Sequence, residues 1–141
     1  MGTDVLNVSS TNSSNGGLRS YAHCSKVANS VTLVLINLDK TDWPNATMQV
    51  GNADSGAAVL ALPNSVNATR WLLTGPQGTN SSLVSLNGKL LSLERGRNLP
   101  RLPGSHEIFH SLGGRLTIPR IPAESIHFIV LEGIGGALGC E

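Results

Sequence analysis

The chain is predicted to be all-β, an antiparallel two-sheet β-sandwich, on three observations. Short apolar or alternating runs are separated throughout by clusters of Gly, Pro, Asn, Asp and Ser. Val31-Thr32-Leu33-Val34-Leu35-Ile36 is a nearly continuous apolar run of strand length, as expected of a central strand covered on both faces. Asn87-Gly88 stands between two apolar runs, and a type I′ hairpin turn needs φ > 0 at both central positions, which Asn-Gly adopts readily.

Strands are expected near Val5–Val8, Leu18–Cys24, Val31–Leu38, Ala46–Val50, Val66–Thr74, Leu83–Leu86, Lys89–Leu93, Leu116–Ile118 and Ser125–Leu131. In Leu18–Cys24, the polar-tipped Arg19, Tyr21 and His23 alternate with Leu18, Ser20, Ala22 and Cys24, so one face should be half-buried. Asn7–Gly17 is low in complexity and reads as a mobile loop. Proline is expected to arrest strand growth at Pro44, Pro63, Pro76, Pro100, Pro103, Pro119 and Pro122. No internal repeat and no linker interrupts the pattern.

At 141 residues the chain fits one domain with a usable core. A net charge of +1 argues against a general nucleic-acid binder. No apolar run approaches the roughly 18–20 residues that cross a bilayer, and no leader with a basic and an apolar segment opens the chain. Five N-glycosylation sequons occur, at Asn7, Asn12, Asn45, Asn67 and Asn80. About two would arise by chance, so these positions are expected to carry glycans. Together with two cysteines they favour the secretory pathway and a single disulfide.

Several patches resemble one family. They are Leu18-Arg19-Ser20-Tyr21-Ala22-His23-Cys24, the strand end Ile36-Asn37-Leu38-Asp39, the hairpin Leu83–Leu91 with the later Asn98-Leu99-Pro100, and the close from Pro122 through Ser125–Val130 to Cys140. In order and spacing they are similar to the C-terminal β-domain of heparanase-like proteins, the plant β-glucuronidase branch of glycoside hydrolase family 79. Met1–Leu6 is similar to the segment that leaves the last barrel helix there. Residues 51–64 and 103–114 match poorly, and the Gly-rich tail Gly133–Gly139 replaces a plainer strand end.

The resemblance implies a division into residues 1–17, an exit segment plus loop, and 18–141, the β-sandwich. It implies a disulfide between Cys24 and Cys140, and a catalytic (β/α)₈ barrel as partner, with acidic glycans as further candidates. It also implies that the N-terminal part of a longer chain supplies one strand, so that the sandwich alone has an open edge. The expected location is the extracellular space or cell wall, or a vacuole or lysosome, including peripheral attachment to a membrane. For a secreted family, the missing leader leads to the expectation that the natural N-terminus lies far upstream or, alternatively, that the chain is truncated.

Such enzymes cleave glycosides with two glutamates about 5 Å apart. Their barrel motifs do not occur here, and the nine carboxylates (Asp4, Asp39, Asp42, Asp54, Glu94, Glu107, Glu124, Glu132 and Glu141) are scattered among expected turns. No catalytic residue and no cofactor is assigned. The chain is therefore expected to be the non-catalytic support domain of a β-glucuronidase, or alternatively a stand-alone carbohydrate-binding module.

A remote third reading is a zinc hydrolase, because His106-Glu107-Ile108-Phe109-His110 satisfies H-E-x-x-H. The proline-rich approach 98–104 cannot form the helix this motif needs, and Leu116 stands where a third histidine belongs. A loop or single turn with solvated histidines is expected instead, without metal. His23 and His127 are expected to pack within strands. The tail glycines miss the dinucleotide fingerprint. Lys89, Arg95, Arg97, Arg101, Arg115 and Arg120 could form a basic surface, and Trp43 and Trp71 sugar platforms, but solvated turns and packing are the plainer readings.

Overall fold

The computed structural model describes residues 5–10, 17–25, 29–51, 62–63, 65–91, 106–112 and 114–140. In chain order the strands are β1 (Val5–Ser10), β2 (Leu18–Cys24), β3 (Ser30–Asn37), β4 (Trp43–Gly51), β5 (Asn67–Thr74), β6 (Ser85–Leu86), β7 (Lys89–Leu90), β8 (Glu107–His110), β9 (Leu116–Ile121) and β10 (Ser125–Glu132). Two short 3₁₀ turns, Gly78–Asn80 and Gly136–Leu138, complete the described elements.

All pairings are antiparallel, and the strand order is β7-β6-β5-β10-β3-β2-β1-β4-β9, with β8 beside β5. The apolar run of β3 lies at the centre, paired with β2 on one edge and β10 on the other. Val5 and Leu6 of β1 pair with β2, whereas Asn7–Ser10 pair with β4. One strand thus passes from the larger sheet to the smaller, β1-β4-β9. This is a common way to turn the corner of a sandwich.

The inward residues of both sheets share one core. Leu18, Ala22, Val31, Leu33, Leu35, Ala68, Ile129 and Leu131 from the larger sheet meet Ala46, Leu116, Ile118 and Ile121 from the smaller. Ile134 and Leu138 of the Gly-rich tail close one end, beside Cys24 and Cys140. Those two cysteines are disulfide-bonded, with Cα atoms 5.4 Å apart.

The buried Arg70 of β5 also ties the layers together. Its Nη1 donates to the carbonyl oxygens of Pro119 (2.6 Å) and Arg120 (3.1 Å) in β9, and its Nη2 pairs with the Glu107 carboxylate of β8. The Phe109 ring lies 5.8 Å from the guanidinium carbon. A charge so deeply placed persists because both Nη atoms are engaged and a carboxylate opposes it, although Nε has no partner.

The Asn87-Gly88 turn forms as expected, with φ of 50° and 78°. Asn87 also binds β5: its backbone N–H donates to the Leu72 carbonyl, and its side-chain oxygen accepts from the Leu72 N–H, each at 2.8 Å.

Several expectations need correction. Residues 107–110, expected in a loop, form β8, because the outer edge of β5 is open along Asn67–Arg70 and accepts a strand there. Pro44 and Pro119 lie within strands instead of ending them. Pro119 is in β9, at the end of the strand order, and Pro44 lies beyond the part of β4 that pairs with β1, so neither removes a needed donor. Strand β9 therefore continues to Ile121. Strand β6 begins at Ser85 rather than Leu83, because the Ser81 hydroxyl bonds both backbone groups of Leu83 across the bend at Ser82. Ser9 and Ser10, expected in a loop, extend β1. Ser92 and Leu93 of the expected Lys89–Leu93 strand lie outside the described residues.

Candidate functional site

Five carboxylates fall among the described residues, and four have structural engagements. Asp39 Oδ2 accepts from the Trp43 indole N–H (2.9 Å), and Asp42 Oδ1 accepts from the Ala123 N–H (2.8 Å). Glu107 pairs with Arg70, and Glu124 Oε1 accepts from the Thr79 hydroxyl (3.0 Å). Glu132 sits exposed at the end of β10. Asp39, Asp42 and Glu124 lie in two adjoining turns, where the Glu124 N–H donates to the Asp39 carbonyl (3.0 Å), while Glu107 and Glu132 lie on β8 and β10. Asp4, Asp54, Glu94 and Glu141 lie outside the described residues.

The H-E-x-x-H string acquires a definite geometry in β8. Side chains alternate along a strand, so His106 and His110 share one face but stand roughly 13 Å apart at the usual rise per residue. Glu107 turns to the opposite side, toward Arg70. Zinc needs its nitrogen ligands at about 2 Å from one point, which this spacing denies. His106 instead lies with its ring centroid 5.7 Å from that of Trp71. Among the described residues no group of three or more His, Cys, Asp and Glu could hold a metal.

Two other histidines lie within strands. His127 of β10 is wholly buried, and its Nε2 is 2.9 Å from the Ser125 hydroxyl oxygen, which itself donates to the Pro122 carbonyl (2.6 Å). The serine proton is committed to Pro122, so the imidazole donates from Nε2 and leaves Nδ1 as a bare lone pair. That atom has no partner in the structure. Burial, and secondarily the nearby Arg70 charge, lowers the His127 pKa from 6.5 to about 4. The Ser125–His127 pair is inaccessible to any substrate. Its role is to fix the entry to β10.

Trp43 packs against the core, whereas Trp71 faces outward. Of the sequon residues, Asn67 and Asn80 are exposed, Asn7 and Asn45 lie in β1 and β4, and Asn12 is outside the described residues. Lys89, Arg115 and Arg120 are exposed on β7, on the approach to β9 and on β9, while Arg95, Arg97 and Arg101 are outside the described residues.

The surface that stands out is the outer face of the larger sheet, which sequence reasoning missed. Registers place Tyr21, Val34, Phe128 and Trp71 directly side by side across β2, β3, β10 and β5, and the Trp71–His106 ring contact continues the row. Arg19, Ile36, Ile126 and Leu73 form the next row, and His23, Thr32, Val130, Thr69 and Ile108 the row on the other side. Tyr21 is 49% exposed and Ile108 56%. The outward half of an antiparallel sheet usually alternates to polar residues where it meets water. Here its centre is apolar and aromatic. The one sequence signal was the lack of polar alternation in β3.

No protein-family model matches this chain. It is similar to heparanase-like protein 3 of Arabidopsis thaliana, with 26% identity over 104 residues, covering 63% of this chain and 19% of that protein. The chain thus corresponds to less than a fifth of the relative's length. The similarity, the β-rich fold and the disulfide together support a heparanase-like relationship.

Proposed function

We propose that this chain is the non-catalytic C-terminal β-sandwich of a heparanase-like secreted β-glucuronidase of glycoside hydrolase family 79, and that it supports a catalytic (β/α)₈ barrel. The observation that carries this reading is the apolar outer face of the larger sheet. A contiguous apolar surface of this kind marks a site of macromolecular contact. Tyr21, Trp71, Phe128, Ile36, Leu73 and Ile126 would be covered by the barrel, which the small matched share of the relative leaves room for. The disulfide fits an oxidising compartment and the secretory pathway. No described helix is long and apolar enough to cross a membrane.

A stand-alone carbohydrate-binding module is the second reading, favoured by the aromatic row ending in Trp71 and His106. Pyranose rings stack on such platforms but also need hydrogen-bonding groups beside them. Arg19, His23, Thr32 and Thr69 do flank the row, but Ile36, Ile126 and Leu73 extend it on one side as an unbroken apolar stretch, which favours protein contact.

The isolated chain should hydrolyse neither a chromogenic β-glucuronide nor a glucuronate-bearing polysaccharide, because the reaction requires a free acid and nucleophile pair, and Asp39, Asp42, Glu107 and Glu124 are engaged with Trp43, Ala123, Arg70 and Thr79. Turnover that persists through purification, and disappears on replacing Glu94, Glu107, Glu124 or Glu132, would overturn the assignment.

A further inference from the structure

Four exposed large hydrophobic residues, Leu38, Leu83, Val84 and Ile126, gather at one place. With Ile36 and Leu73 they line a cavity of about 280 Å³ where β3 and β5 end and β10 begins. Its far wall is the loop between β5 and β6, which is firmly built. Ser81 Oγ donates to the Leu83 carbonyl (2.8 Å) and accepts from the Leu83 N–H (3.2 Å). The Thr79–Glu124 hydrogen bond clips the loop to the turn before β10. Gly78 has φ of +61°, and a Cβ there would fall on the Glu124 carboxylate, so the wall requires glycine.

The chemistry of this cavity narrows its occupant. Small-molecule sites carry convergent polar groups. Of the polar side chains lining this one, Asn37, Ser81 and Ser125 are bonded to backbone groups and Thr79 is bonded to Glu124. Through Ile36, Leu73 and Ile126 it is continuous with the apolar outer face.

We propose that the cavity is the anchor socket of that face, taking one bulky apolar side chain, of the phenylalanine or leucine kind, from the catalytic module. This inference rests on reading the chain as a support domain. The occupant is a protein segment because the socket opens onto the docking face, and because the matched region covers only 19% of the relative, whose remainder can present it. A single anchor in a preformed apolar pocket commonly dominates such contacts.

The probe is N-acetyl-phenylalaninamide, titrated into the isolated chain while methyl resonances are followed by NMR. Saturable shifts are expected at Ile36, Leu73, Leu83, Val84 and Ile126, with Leu83→Asp weakening them about tenfold or more. Absence of those shifts up to the probe's solubility limit would overturn the socket. In a chimera carrying this chain in place of the matched region of the Arabidopsis protein, Leu83→Asp should expose the junction to trypsin while leaving the melting temperature of the isolated chain unchanged.

Junction exposure by Tyr21→Glu but not by Leu83→Asp would retain the docking face and reject the socket. Exposure by neither would reject both. A dimer of the isolated chain that Leu83→Asp dissolves would give the socket to a second copy and also overturn the proposal.

Discussion

Removing the Cys24–Cys140 disulfide, by the double substitution Cys24→Ala/Cys140→Ala, should lower the unfolding free energy by about 4–5 kcal/mol. The bond spans 116 residues of sequence, so it restrains most of the unfolded chain, and a closed loop of this length is worth about that much in the chain-entropy model. Small domains are typically stable by only about 5–15 kcal/mol, so this is a large fraction of the total.

The folded state should respond locally as well. The disulfide fastens the tail to β2, and Ile134 and Leu138 of that tail are buried in the common core. Freed of the bond, the tail should lose hydrogen-exchange protection before β3 and β10 do. Chemical denaturation of the oxidised protein and the double variant measures the effect. Coincident midpoints would show that the tail holds without the bond.

Acidification should weaken the fold through His127. Its folded pKa of about 4 lies below the ordinary 6.5, so between those values the unfolded chain binds a proton that the folded chain excludes. Stability from this residue is therefore complete above about pH 6.5 and declines as pH falls toward 4. A difference of this size between the folded and unfolded chain corresponds to a total loss of about 3 kcal/mol. The physical cause is burial first and the Arg70 charge second. A proton arriving at Nδ1 would find no acceptor, since Nε2 already serves Ser125.

His127→Gln removes the titrating group. The difference in unfolding free energy between wild type and variant should change by about 3 kcal/mol between pH 7 and pH 4. A difference that stays constant over that interval would show that His127 is protonated as readily in the folded protein as in the unfolded.

Much of the sandwich was legible from residue pattern alone. Strands β2, β3 and β10 follow from alternation or from sustained apolar runs, and the hairpin turn from the φ requirement that Asn87-Gly88 meets. Strand β8 was not legible. Its four residues carry too short an alternation, and its existence depends on the free edge of β5, which is a tertiary fact. Pro119 misled for a related reason, because whether proline ends a strand depends on whether that edge is paired.

The candidate site was hidden more deeply. Tyr21, Val34, Trp71 and Phe128 are far apart in the chain, and only the registers of β2, β3, β10 and β5 bring them into one row. The socket adds the β5–β6 loop, whose placement depends on Gly78 and on the distant Glu124. By contrast, H-E-x-x-H was conspicuous in sequence and loses its chemistry once it lies on a strand.

The docking role is tested most directly by calorimetric unfolding of the Arabidopsis chimera, with and without Tyr21→Glu/Ile108→Glu on the outer face. Both residues are about half exposed in the isolated chain, which should tolerate the charges with little change in its own melting. In the chimera the charges would be forced against the barrel without partners, at a desolvation cost that separates the modules. The predicted result is one cooperative transition in the parent chimera that splits into two in the variant. Identical unfolding of the two chimeras would contradict the assignment of this face as the surface that holds the barrel.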